Sequence, residues 1–343
     1  MAKTALIIGG TGQIGVATAG RLTRDGWAVT VAHRGNHSLA LPTDAADIRL
    51  DRSDSAALLA AARGNDLVLD TVAYDTTHAE QLAQLAGDVG SLVVISTGSV
   101  YLGQNGGYFD IATDDDFPTY PVPLRETDPI VDNAEQTYAP MKAAMERRLL
   151  AADDLPVSIL RPGAIHGPHS PVLREWFFIK RVLDGRRRVV LARDGASRFS
   201  TSSTANIAEL VELCAEQPGR RVLNAVDEDG LSAAEIGRAV FTAMGHEAKI
   251  LTFAGPPQGE LGSNPWGIAQ PMLLSMAAAR AQLDYIPAVS YVEGLADDIL
   301  WVTDAVAAAE RRGESWEELF PSIVARYGSD GWFPYSAEDA FVR

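Results

Sequence analysis

A single cysteine, Cys214, occurs among 343 residues, which excludes an internal disulfide framework and suits a reducing compartment. It lies in the amphipathic stretch Ile207 to Cys214, so a buried structural thiol is expected there rather than a nucleophile. No uninterrupted apolar run approaches the roughly 18 residues that a membrane span needs. Met1-Ala2-Lys3 and the short apolar run that follows have neither the length nor the cleavage pattern of a signal peptide, so a cytoplasmic protein without a membrane partner is expected. Basic side chains are scarce, 29 against 45 acidic ones, for a formal charge of −16. Such an excess repels phosphate backbones, so nucleic acid is not an expected partner. The densest basic spot, Arg186-Arg187-Arg188, reads as a solvated turn after a helix. There is no internal repeat, and no metal is expected.

What is present is an ordinary globular composition, 47% hydrophobic and 22% charged, in a chain long enough for one large α/β domain and a smaller lobe. The first 160 residues alternate short apolar runs with helical patterns, as in a parallel sheet wrapped by helices. Residues 4–8, 28–33, 67–70, 92–96 and 157–161 read as strands apolar on both faces. Residues 15–25, 53–63, 76–85 and 139–153 carry apolar side chains at helical spacing, with Ser53 and Asp54 supplying cap chemistry for the second.

Residues 103–136 break this rhythm with Gly106-Gly107, the acidic run Asp114–Asp116 and four prolines, and are expected to form a lid-like insertion. Beyond them, 174–184, 205–215, 232–244 and 302–311 look helical, with Ser232 a cap, and 189–191 and 222–224 look like short strands. The expected units are a dinucleotide-binding domain over 1–165, a substrate lobe over 166–300, and a helical, aromatic tail over 301–343 with Trp316, Phe320, Trp332, Phe333 and Tyr335.

Three segments carry chemistry. Gly9-Gly10-Thr11-Gly12-Gln13-Ile14-Gly15 follows a strand and opens a helix, where glycines let backbone N–H groups approach a pyrophosphate at the positive helix end. The fold class is therefore α/β, a doubly wound Rossmann sheet with a smaller C-terminal α/β lobe. The second strand ends His33-Arg34 without an acid, and an arginine there suits a 2′-phosphate, so NADP(H) is preferred while NAD(H) stays open. Asp51-Arg52, after a third strand, offers a carboxylate to an adenine amine, and Thr71-Val72-Ala73 follows the next strand at the same crevice. Tyr138 and Lys142 stand four apart, one turn of helix, so an ammonium can bring the phenol below its usual pKa near 10. The strand ending Ser96-Thr97-Gly98-Ser99-Val100-Tyr101 places hydroxyls at the carboxyl end of a parallel sheet.

In order, these segments resemble the extended short-chain dehydrogenase/reductase family, which contains the nucleotide-sugar epimerases and dehydratases. Arg161-Pro162-Gly163-Ala164-Ile165-His166-Gly167-Pro168 is similar to the family's strand-end segment near the nicotinamide, and Leu283–Pro287 and Glu293-Gly294-Leu295 to its C-terminal motif. The likeness spans about residues 3–300. It implies that Tyr138 exchanges a proton at a carbinol or carbonyl oxygen, that Lys142 bonds the nicotinamide ribose, and that Thr97 orients the substrate oxygen. It also implies cofactor contacts from Pro162, Gly163 and Ile165, substrate contacts from Ser99, Tyr101, His166 and Arg198, and a small-molecule substrate. Homodimers are common in the family.

Departures from the pattern narrow the reaction. Gly98 and Ser99 stand where the family's dehydratases carry Asp-Glu, which argues against dehydration. His166 replaces a usual Tyr, and Phe199 and Asn206 occupy positions that serve a nucleotide diphosphate in the family. Arg174-Glu175-Trp176-Phe177-Phe178 looks closer to the branch containing the chloroplast stem-loop RNA-binding proteins. Three readings stay open: an NADPH-dependent reductase of a carbonyl on a sugar-like or polyol-like molecule, an NAD-dependent sugar epimerase that retains its cofactor, and a dinucleotide- or RNA-binding protein without turnover.

Overall fold

The computed structural model describes residues 2–35, 41–42, 44–328 and 332–341. Parts of the expected tail, 329–331 and 342–343, lie outside the described residues. In chain order the elements are β1 (Thr4–Ile8), α1 (Gln13–Arg24), β2 (Ala28–His33), β3 (Ala46–Arg49), α2 (Ser55–Ala62), β4 (Leu67–Asp70), α3 (Thr76–Ala83), β5 (Ser91–Ile95), α4 (Tyr138–Leu150), β6 (Val157–Pro162) and β7 (Ala164–His166). They continue as α5 (Trp176–Leu183), β8 (Arg188–Leu191), β9 (Thr201–Ser203), α6 (Thr204–Glu216), β10 (Arg221–Ala225), α7 (Ala233–Ala243), β11 (Lys249–Thr252), α8 (Ala277–Leu283), α9 (Tyr291–Arg311), α10 (Trp316–Leu319), α11 (Pro321–Tyr327) and α12 (Tyr335–Ala340).

The main sheet has seven parallel strands in the order β10-β6-β5-β4-β1-β2-β3. The chain starts in the middle and winds outward both ways, so the sheet's topological switch lies between β1 and β4, where a doubly wound sheet opens its ligand crevice. Its central strands are buried except for Thr4 at the start of β1, which explains their apolar runs. Two apolar layers cover it. Ile7, Val31, Val93 and Leu210 belong to one face, and Leu6, Val68, Val94 and Met145 to the other.

The expected boundary at residue 165 needs correction, because β10 comes from beyond it and still forms the edge strand beside β6. The second lobe holds two parallel pairs, β7 with β9 and β8 with β11, around a separate core of Trp176, Phe177, Phe178, Trp266 and Tyr291. The helix expected over 302–311 is the second half of α9, which starts at a capping box between Ser290 and Glu293.

The insertion is fastened rather than loose. Bridges pair Tyr101 with Ile130 and Leu124 with Leu274, and Tyr108 hydrogen-bonds Glu135. No described helix is long and apolar enough to cross a membrane.

Candidate active site

The turn between β1 and α1 is shaped by close approach. Gly9 sits at φ +74°, in the left-handed region, and a Cβ on Gly15 would come 2.4 Å from the Gly10 Cα. Gly12 stands at the N-cap of α1 with no side chain capping it and no acid in the first turn. The helix thus presents uncapped N–H groups and an uncompensated positive dipole end, which fits a dinucleotide's pyrophosphate.

Three cavities run from this turn along the carboxyl ends of the strands. The first, about 490 Å³, is lined by Gly9, Thr11, Gly12, His33, Arg34, Asp51, Arg52 and Val72, together with Leu50 and His78. His33 Nδ1 accepts the Gly35 N–H at 2.9 Å, so its Nε2 donates to Asp47 at 3.1 Å. Asp51 is held below the usual carboxylate range by two hydrogen bonds from Ser53, with Arg34 adding to the effect. Arg52 bonds Asp70 at 3.0 Å and Gln81 at 3.0 Å, so its guanidinium is oriented by β4 and α3.

The second cavity, about 640 Å³, shares Gly9, Thr11, Gly12 and Val72 with the first, and adds Gln13, Ile14, Thr71, Tyr138, Lys142, Ile165 and His169. The third, about 570 Å³, shares Gln13, Tyr138 and Ile165 with the second and adds Thr97, Ser99, Phe109, Asp110, Gly163, Arg174, Phe199 and Arg326. Tyr138 therefore stands at the seam between the second cavity and the third.

Tyr138 opens α4 and faces the third cavity together with Thr97, whose hydroxyl lies close enough to favour its phenolate. Asp110, from the insertion, accepts the Ala139 N–H at 2.6 Å and so caps this helix, which lacks a side-chain cap of its own at Thr137. Pro140 falls in the first turn, where its missing N–H costs nothing. Farther along α4, Glu146 forms a buried pair with Arg161 of β6 and accepts the Ser96 hydroxyl, locking the helix to the sheet. Lys142 is buried and donates to the carbonyls of Ala73 at 2.6 Å and Ile95 at 2.9 Å, leaving one of its three N–H donors for a further partner.

The electrostatics differ from the expectation. Although Tyr138 is 39% exposed, the partial enclosure of its phenol raises its pKa above the usual value, with Thr97 and Arg326 drawing it partly back. Lys142 acts on it less strongly than these, because its ammonium lies 5.9 Å from the centre of the tyrosine ring and is engaged by two carbonyls. Burial in turn brings Lys142 down to about 8.

Several expected contacts are corrected. Tyr101 is fully buried, its hydroxyl donating to Asn224 at 2.7 Å, and it lines none of these cavities. His166 is enclosed between Asp227 at 2.8 Å and Asp298 at 3.0 Å, with both ring nitrogens engaged, so it cannot touch a substrate. Arg198 lies outside the cavities, 3.7 Å from Glu235. Gly15, Ala73 and Pro162 do not line these cavities. Sequence reasoning missed His78, His169, Asp110 and Arg326. Of these, His169 carried a local signal, a histidine four residues after Ile165 in the strand-end segment; its backbone is left-handed at φ 67° and its ring meets Trp301.

The NAD dependent epimerase/dehydratase family model matches residues 5–225. No curated protein matches the sequence. Among solved structures, dTDP-glucose 4,6-dehydratase from Bacillus anthracis str. Ames in complex with NAD is 16% identical, with a TM-score of 0.66 over 88% of this chain and 97% of that one. UDP-glucose 4-epimerase from Thermotoga maritima with UDP-glucose is 19% identical, with a TM-score of 0.64 over 88% and 99%. The Bordetella bronchiseptica enzyme WbmH in complex with NAD+ is 18% identical, with a TM-score of 0.66 over 89% and 99%. With the family model covering well over half its length, this chain belongs to the NAD dependent epimerase/dehydratase family and is an enzyme of the extended short-chain dehydrogenase/reductase type.

Proposed function

We propose that the protein is an NAD-dependent epimerase of a sugar-like small molecule, inverting a carbinol carbon by removing its hydride and returning it to the opposite face. The observation that carries the reading is Tyr138, beside Thr97, at the seam where the dinucleotide crevice meets the third cavity. Gly9, Thr11, Gly12, Gln13 and Ile14 would hold the pyrophosphate, Asp51 the adenine end, and Lys142 the nicotinamide ribose through its remaining N–H. Bound there, the dinucleotide supplies the hydride acceptor and donor. Tyr138 takes the proton from the carbinol oxygen as the carbonyl forms, and gives it back as the carbinol is restored. Thr97 and Ser99 orient that oxygen, and Phe109 and Asp110 from the insertion cover the substrate. Solved structures with this fold include an epimerase with UDP-glucose and enzymes with NAD, which supports the choice of substrate class and cofactor.

A second reading, an NADPH-dependent reductase, is favoured by one feature: Arg34 lines the first cavity at the end of β2, where no carboxylate follows the strand. One experiment separates the two. The purified protein is denatured and its released dinucleotide identified, and turnover is followed with a panel of UDP-sugars and with NADPH plus carbonyl compounds. The epimerase predicts retained NAD, no net cofactor consumption, and a loss of about 10²–10⁴-fold in rate for Tyr138→Phe with NAD still bound. Stoichiometric NADPH consumption that weakens with Arg34→Ala supports the reductase instead.

A further inference from the structure

The loop after β7 holds one buried hydroxyl in place without giving it a partner. Ser170 is 2% exposed, and its Oγ is shielded from solvent and makes no hydrogen bond with any described residue. Leaving a buried hydroxyl unpaired is costly, and most buried polar groups in folded proteins avoid it. Ser170 lines the third cavity, on which Tyr138 and Thr97 also open, so a partner can reach it from that side. The loop's shape is fixed at several points. Gly167, at φ +136°, is pressed against the start of α6, where a Cβ would come 2.1 Å from Thr204 Oγ1. His169 is left-handed at φ 67°, a conformation that a residue with a Cβ rarely adopts, and its ring meets Trp301 of α9 edge to face at 5.5 Å. The Ser170 N–H donates to the Gly167 carbonyl at 3.3 Å, and Pro168 and Pro171 restrict the backbone on either side. Backbone strain of this kind persists only where the surrounding structure enforces it, and it gathers at ligand clamps.

We propose that Ser170 is a specificity-determining residue, whose hydroxyl bonds a second oxygen of the substrate, apart from the reacting carbinol held by Tyr138 and Thr97. The proposal rests on the functional reading above and deepens it by assigning a selecting contact. Ser170 lies past Pro168, where the likeness to the family's strand-end segment stops, so the family pattern does not supply this contact. Pro171, Val172, Phe199, Pro265 and Ile268 make much of the same cavity apolar, and a polar substrate group gains most where a hydroxyl is offered. A site built to hydrogen-bond an oxygen rejects the analogue lacking it far more strongly than an apolar wall rejects an added one. The strained turn at His169 then serves to hold the Ser170 hydroxyl at the cavity, unpaired until substrate arrives.

The test is a cycle of variants against ligands, read as binding without turnover. Tyr138→Phe protein saturated with NAD is titrated by calorimetry with UDP-glucose and with its singly deoxygenated counterparts, with and without Ser170→Ala. Ser170→Ala is expected to weaken UDP-glucose binding about tenfold, with NAD affinity unchanged and partial recovery in Ser170→Thr. One deoxygenated sugar should bind weakly and equally well to both proteins, and that non-additivity identifies the oxygen that Ser170 contacts. Without ligand, Ser170→Ala should unfold at the wild-type temperature or slightly above it, because it gives up no hydrogen bond. A lower midpoint would show that the hydroxyl is already satisfied within the protein or by an ordered water, and overturns the proposal. So does a set of sugars, UDP-glucose included, of which none distinguishes Ser170→Ala from its parent, or a tenfold loss shared by every deoxygenated sugar. Failure of the catalytic reading shows elsewhere, as absence of epimerisation with Tyr138 intact, and leaves the binding cycle readable.

Discussion

His166 stands where the family pattern places a substrate contact, and it became instead the centre of a buried ionic cluster. Its imidazolium faces Asp227 and Asp298, its ring packs 4.9 Å from Tyr291, and the Tyr291 hydroxyl donates to Glu175 at 2.9 Å. The two carboxylates hold its pKa well above 6.5 despite burial, which alone would lower it. A folded-state pKa above the unfolded one means stability that is complete below about 6.5 and lost as pH climbs through the folded value. Asp227, held below its usual range by His166, contributes in the opposite sense, losing its share as pH falls through its folded value. His166→Gln is therefore expected to cost about 3–5 kcal/mol near pH 6, read from urea midpoints, because two buried carboxylates lose their counter-charge. A variant as stable as wild type would show that the cluster contributes nothing. Tyr138 makes a second residue-scale prediction. Since its phenol is raised above 10.0, the oxidative half-reaction, which needs the phenolate, should speed up with pH through the neutral range without levelling. A plateau near pH 7 in kcat/KM for oxidation would contradict that placement.

Helix α4 shows at the scale of an element what was legible in the sequence and what was not. Its Tyr-Lys spacing is a local pattern, and so are the glycine turn before α1 and the buried apolar strands β1, β4, β5 and β6. Such features follow from the neighbouring residues alone; of the expected residues beside them, Gly9, Thr11, Gly12, Tyr138 and Lys142 line the cavities and Gly15, Ala73 and Pro162 do not. The cap on α4 does not follow locally, because Asp110 and Ala139 are 29 positions apart and meet only once the insertion folds back. Strands β7 and β9 were hidden for a related reason, and β3 was implied only by placing Asp51 after a third strand. Ala46–Arg49 is mostly exposed, and Thr201–Ser203 is three buried hydroxyl residues without an apolar signal. Asp110→Ala should cost about 0.5–2 kcal/mol through the lost cap and lower turnover by loosening the start of α4. Asp110→Asn, which still accepts a hydrogen bond, should recover most of both. Equal losses in the two variants, measured by thermal unfolding and initial rates, would place the role of Asp110 in its charge rather than in capping.

Across the whole molecule, the last thirty residues tie the second lobe to its own tail. Arg181 of α5 is fully buried, donating to the Phe177 and Trp332 carbonyls and to Glu338 of α12, with its guanidinium 3.8 Å from the Phe177 ring centroid. Trp332 and Phe333 pack on the same ring. Nothing in the sequence pairs residue 181 with residue 338, since the contact joins elements 157 positions apart. The anchoring has consequences for the active site, because α11, which brings Arg326 to the third cavity, lies between α9 and this clamp. A buried ion pair is costly to break from one side but can be replaced as a unit by apolar side chains at little cost. Glu338→Ala is therefore expected to lower stability by about 3–5 kcal/mol, leaving the Arg181 charge buried and unpaired. Arg181→Met with Glu338→Leu should be much less destabilised than that single variant. If the single and double variants unfold at the same temperature, the pair is not coupled. If the double variant keeps its stability and its turnover, the clamp serves by packing the tail, and its charges are dispensable for holding α11 at the cavity.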